Sequence, residues 1–207
     1  MTLVTKEEAD RVSQAITTAE QRTSGEIVAM ITAESAGYHY APVLWAALVA
    51  LALPWPFIQW TWWPIQHIYL MQLIAFLALA VVLHWRPVRF ALVPRRIKQA
   101  RAHRRAVEQF LAQNMHTTTG RTGVLIFVSV AERYVEVLAD SGIHKLVPET
   151  DWQAIVDKLT ADIGAGQAGE GLVTAITAAG ERLARHFPPG SAAANQLPNH
   201  LIVLPAG

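Results

Sequence analysis

The sequence contains no cysteine. Disulfides and thiolate metal sites are therefore excluded. Charge is also scarce: Asp, Glu, Lys and Arg make up 16% of the chain, against about 25% in an average soluble protein. The shortage is concentrated, because no such residue occurs from Ser35 to Trp85. There is no Gly-rich phosphate loop, no HExxH spacing, no internal repeat and no low-complexity tract. Seventeen basic and sixteen acidic residues nearly cancel, so the whole chain exerts no strong field. The opening Thr5-Lys6-Glu7-Glu8 is acidic with no apolar stretch behind it, and does not read as a cleavable signal peptide.

The uncharged run is too long for one membrane span and fits two of roughly 20 residues each. A break lies at Pro54-Trp55-Pro56 through Trp62-Trp63-Pro64. The sequence thus predicts a transmembrane hairpin over 38–86, with helices near 41–57 and 65–85. Trp55, Trp60, Trp62 and Trp63 cluster at the break, and Trp45 and Trp85 lie toward the other side. Indole rings favour the headgroup level and would anchor the hairpin at both interfaces. A buried core hairpin is disfavoured, since a core of that size needs more polar surface around it. Arg86, Arg89, Arg95, Arg96, Lys98, Arg101, Arg104 and Arg105 follow the second span, with no acid before Glu108. The positive-inside rule puts this segment and both ends of the chain in the cytoplasm, in the inner membrane of a bacterial-type cell. Each basic residue gains about 1 kcal/mol near anionic headgroups. Membrane lipid is therefore the expected contact, and nucleic acid is not.

Outside the hairpin the pattern is α/β. Thr5 and Glu8 form a capping box for a helix to about residue 21, burying Val12, Ile16 and Ala19. Residues 26–33 and 124–130 are nearly continuous apolar runs, as in strands buried on both faces. Residues 94–115 read as a helix with Ile97, Ala100, Val107, Phe110 and Leu111 on one side. Residues 134–139 suit a hairpin partner strand. Helices are expected at 152–163, capped by Glu149-Thr150-Asp151, and at 170–187, separated by a flexible glycine-containing break over 164–169. A loop over 188–195 and a short strand over 200–204 close the chain. Residues 1–34 and 87–207 thus form one domain interrupted by the hairpin, with a sheet covered by helices on both faces.

Several short motifs, in order, carry a family resemblance: Ala19-Glu20, Thr23-Ser24-Gly25-Glu26-Ile27, Thr122-Gly123-Val124-Leu125-Ile126, Glu132-Arg133, Asp140-Ser141-Gly142-Ile143 and Gly169-Glu170-Gly171-Leu172. The chain resembles the TPM domain family, named after thylakoid lumen, photosystem II-associated and MOLO proteins. The resemblance implies an α/β/α sandwich beside a membrane. Roles suggested for members are acid phosphatase activity, divalent-metal binding and help in assembling membrane complexes. It also makes a LemA-type membrane protein a candidate partner.

Loops at the strand ends are expected to bring Glu26, Asp140 and His144 together, an oxygen-rich cleft that would suit a hard divalent cation. Lys145 opposes that, and the bland reading is that both acids cap turns. No cofactor is assigned and no catalytic residue can be named. His67 and His84 are placed near opposite interfaces, too far apart to share one haem, and His39 beside two tyrosines reads as an interface anchor. Gln59, Gln66 and Gln72 are candidates for hydrogen bonds to partner helices. The sparse site chemistry favours a non-catalytic accessory protein of the inner membrane that binds or stabilises another membrane protein. The alternative is a membrane-bound metal-dependent phosphatase.

Overall fold

A computed structural model of the chain describes residues 3–118, 120–190 and 197–205, the side chain of residue 86 excepted. It divides into two compact units, residues 1–36 with 99–207, and residues 37–98.

In the first unit, α1 (Lys6–Glu20) starts at the expected capping box: Thr5 Oγ1 accepts the Glu8 N–H at 3.2 Å and Glu8 Oε2 accepts the Thr5 N–H at 2.7 Å. Val12, Ile16 and Ala19 are its buried stripe. β1 (Glu26–Thr32) and β2 (Gly123–Ser129) are buried at every position, as strands covered on both faces must be. They pair in parallel, Glu26 with Gly123 through Thr32 with Ser129. β3 (Tyr134–Ala139) adds antiparallel to β2, and β4 (Ile202–Leu204) parallel to β1, giving the order β3-β2-β1-β4.

The pleat sends alternate residues to two cores. Ile27, Ala29, Ile31, Val124, Ile126 and Val128 face α1, α8 (Glu149–Gly164) and α9 (Ala168–His186). Val28, Met30, Leu125 and Phe127 face Ala106, Met115 and Phe110 on the other side. The last three come from α6 (Arg95–Ala112) and the 3-10 turn after it. The architecture is the expected α/β/α sandwich.

Details differ from expectation. The buried stripe of α6 is Ala102 and Ala106, with Phe110 partly covered, whereas Ala100 and Leu111 are exposed. Arginines at 101, 104 and 105 leave only this alanine edge able to approach the sheet. A short helix, α7 (Ser141–His144), follows β3. α8 begins three residues early, with Glu149 and Asp151 inside its first turn rather than ahead of it. Such acids favour the positive helix end. Gly169 is not part of a flexible break but lies inside α9, where a Cβ would come within 2.8 Å of Glu8 Cβ. Likewise a Cβ on Gly180 would sit 2.6 Å from that of Ala19. These glycines let α9 and α1 cross closely. The expected 188–195 loop falls partly outside the described residues.

The second unit contains α2 (Tyr40–Ala52), α3 (Pro54–Trp60), α4 (Ile65–Leu83) and α5 (Arg86–Leu92). Pro54 occupies the first position of α3, where its missing N–H costs least. Ala46 and Ala50 are buried where α2 packs on α4, small enough for close approach. The unit runs past the expected hairpin end because α5 folds back: Tyr38 is fully buried with its ring edge-on to Phe90 at 5.3 Å. Two stretches, Tyr40–Trp60 and Ile65–Leu83, are long and apolar enough to cross a membrane.

Candidate functional site

Glu26 and Asp140 come to the same edge of the sheet. Glu26 pairs with Gly123 across the β1–β2 ladder, and the Asp140 N–H donates to Gly123 O at 2.9 Å. Each is buried and tied to backbone. Glu26 Oε2 accepts the Leu197 N–H at 3.3 Å, and Asp140 Oδ1 accepts the Ser141 N–H at 2.6 Å as the N-cap of α7. His144, at the end of α7, is exposed. Among the described residues no group of three His, Asp or Glu side chains is placed to hold a metal ion. Glu26 Oε2 and Asp140 Oδ1 thus act as caps, while Asp140 Oδ2 is buried without a partner among the described residues.

The same edge holds a third carboxylate, which the sequence reading placed among the family motifs but not in the candidate cleft. Glu20 ends α1 and its Oε1 accepts the Ile27 N–H at 2.9 Å. Burial pushes its pKa up to about 7, and the nearby Glu26 charge pushes the same way, against hydrogen bonds from Ile27 and Asn199. The available signal was an acid closing one helix just before another acid opened a strand. The native carboxyl holds its proton where the unfolded one has lost it, between about 4.5 and 7. Stability from this group is therefore complete below pH 4.5 and lost as pH rises through 7. After allowance for partial solvent screening, the loss is about 1–2 kcal/mol. Glu20→Gln is expected to match wild type at pH 5 and to melt higher at pH 8 in thermal unfolding of the detergent-solubilised chain. Parallel melting curves at both pH values would refute a raised pKa.

The opposite edge, at the carboxyl ends of the parallel strands, carries a buried polar network. Ser35 Oγ donates to Ser129 Oγ at 2.7 Å, Ser129 Oγ donates to Glu132 Oε2, and the Ser35 N–H donates to Glu132 Oε1 at 3.0 Å. Next to it, Tyr134 pairs with Ser129 in the ladder and donates its hydroxyl to Glu136 Oε2 at 3.0 Å. His103 Nδ1 of α6 lies 2.8 Å from Glu136 Oε1. Burial first, then the Glu136 charge, holds the Tyr134 phenol above its ordinary pKa, so it remains a donor. Glu136 thereby fixes the imidazole and leaves its ring half-exposed, a geometry suited to proton exchange or ligand contact. Ser129, a polar residue ending an apolar run, and the Glu132-Arg133 motif were the legible signs. His103 and Glu136 are 33 residues apart and gave none.

In the second unit, Trp55, Trp60, Trp62, Trp63 and Trp85 are all exposed, as interface anchors need to be. Along α6, Arg95, Arg96, Arg101 and Arg104 are exposed too. Lys98 and Arg105 are half-buried, Lys98 donating to Phe90 O at 3.1 Å and Arg105 reaching Glu108 at 3.8 Å. Arg89 departs from the expected lipid-facing set: it is 4% exposed, with Nη1 3.0 Å from His39 Nδ1 and its guanidinium over Phe90. Packing of α5 turns it inward. The Arg86 side chain lies outside the described residues. His84 stacks on His39 with ring centroids 5.2 Å apart, so His39 is a partner and not only an anchor. His67 is exposed in the first turn of α4.

A family model described as "TPM_phosphatase: TPM domain" matches residues 86–182. Those residues contain a TPM domain. The NMR structure of the BA42 protein from the psychrophilic bacterium Bizionia argentinensis superposes with a TM-score of 0.61 at 21% identity, covering 97% of this chain and 95% of that one. That likeness shows a shared fold. No curated protein matches. The matched span holds β2, β3, α5 to α8 and α9 as far as residue 182, hence His103, Glu132, Glu136 and Asp140. Its sheet is completed by β1 and β4, which lie outside the matched span.

Proposed function

We propose that this chain is an integral protein of the bacterial inner membrane whose hairpin anchors a cytoplasmic TPM domain that docks on, and stabilises, another membrane protein. The carrying observation is the hairpin surface. Leu51, Trp60, Val81 and many neighbours are more than half exposed, in helices that contain no charged side chain. That much apolar area facing water would be strongly unfavourable, and a bilayer removes the cost. Exposed arginines just after the second helix support a cytoplasmic placement of both termini and contact with anionic lipid. The α/β unit supports a docking role by what its polar groups do, since Glu26, Asp140 and Glu132 are engaged with backbone or neighbouring hydroxyls. A LemA-type membrane protein is the partner class the resemblance favours.

The absence of cysteine allows a direct test. Single cysteines at Thr61 and Gln113, introduced into the full chain, are expected to react with an impermeant maleimide from the outside only at Thr61. The protein is expected to stay in the pellet after alkaline carbonate extraction. Release by carbonate, or labelling of Gln113 in intact cells, would overturn the reading. Co-purification from mild detergent then tests for a stoichiometric partner.

A second reading, a membrane-bound divalent-metal-dependent phosphatase, is favoured by the printed description of the matching family model. Hydrolysis of a generic phosphate ester with added Mg2+ or Mn2+, lost in Glu26→Gln or Asp140→Asn, would support it.

A further inference from the structure

α2 and α4 leave an open groove of about 440 Å³, lined by Ala47, Ala50 and Leu51 from one helix and Tyr69, Gln72 and Leu73 from the other. Its walls are apolar except for one amide and one hydroxyl. Gln72 is in the middle third of a 19-residue helix, about 10 Å from its start. Among the described residues neither the Gln72 amide nor the Tyr69 hydroxyl has a hydrogen-bond partner. At the depth of Gln72 no water supplies one, and an acyl chain filling the groove would leave its amide unsatisfied.

We propose that a second copy of this chain fills the groove, forming a two-fold homodimer across α4 in which Gln72 faces its own counterpart. The inference rests on the membrane reading above. Chains inserted the same way up can close into a pair only about an axis along the membrane normal, which sets each residue level with itself. An amide carries both donor and acceptor, so two facing Gln72 side chains satisfy each other. Ala47 and Ala50 give the backbones room to approach. No other spanning residue pair offers this self-complementarity at mid-depth, since the polar neighbours Gln66 and His67 lie in the first turn of α4.

The cysteine-free background makes the test direct. Leu73→Cys lies on the groove and Ile74→Cys on a face turned well away, and both positions are exposed. Carbonate-washed membranes carrying either full-length variant are oxidised with copper phenanthroline. The expected result is an adduct of twice the chain mass for Leu73→Cys. The adduct should exceed that of Ile74→Cys roughly threefold or more, and adding Gln72→Leu should erase this excess, equivalent to one interhelical hydrogen bond. Equal cross-linking at both positions, no adduct, or an adduct with another protein overturns the dimer. Loss of the chain in the carbonate wash instead overturns the membrane reading, so the two failures are distinct.

Discussion

Replacing Glu132 with alanine is expected to cost the α/β unit about 3 kcal/mol or more. The carboxylate is 8% exposed and accepts from the Ser35 N–H and from Ser129, which in turn accepts from Ser35. Removing it strands a buried backbone donor and breaks a chain of buried hydroxyls, each group costing about 1–3 kcal/mol when left without a partner. Polar networks of this kind are strong only when complete. Glu132→Gln keeps one acceptor oxygen and should lose about half as much, and Ser129→Ala about 1 kcal/mol. The loss should appear as faster hydrogen exchange at the carboxyl ends of β1 and β2, where Val130 and Ala131 donate to Thr32 O and Ala33 O. Wild-type stability in Glu132→Ala would mean that the network does not hold these strand ends.

That network also shows what the sequence could and could not convey. Thr5 and Glu8 are three residues apart, and their reciprocal bonding is a local event, so the start of α1 was legible. The apolar runs of β1 and β2 announced burial on two faces, because covering helices demand it. Strand order was not legible, since a buried run does not name its neighbour. β4 pairs with β1 across more than 170 residues. α5 was missed because seven residues with a proline at the second position are too few for periodicity to register. Glu26 and Asp140 reached one edge, where Glu26 Oε2 takes the Leu197 amide and Asp140 Oδ1 the Ser141 amide while Asp140 Oδ2 is buried without a partner among the described residues, a split that side-chain type alone could not convey. Arg89 was read with its basic neighbours, although packing of α5 turned it toward His39. Glycine was read as flexibility at 169, where the requirement was absence of a side chain against Glu8.

The thin side of the sandwich predicts the second large effect. Phe127 is fully buried at the centre of the smaller core, between Met30 on β1 and Glu136 on β3 in the sheet, and beneath the face that holds Ala106. Phe127→Ala removes a full aromatic ring, for which the usual loss is about 3–5 kcal/mol, greatest where the surroundings cannot collapse into the space. Here α6 offers the Ala106 methyl, too short to fill the void, and Phe110, which stays at the partly covered rim of the cluster, while the flanking arginines cannot enter without losing hydration. The expected cost is therefore near the upper end, about 4–5 kcal/mol. Its distribution is specific too. Amides of α6 beyond residue 99 should exchange faster, whereas those of α9, on the opposite face with Leu172, Ile176 and Leu183, should keep their protection until the whole unit opens. Phe127→Leu restores most of the volume and should recover at least half of the loss. Equal loosening of α6 and α9 would show that the two faces of the sheet unfold as one, and that α6 draws no separate stability from the ring beneath it.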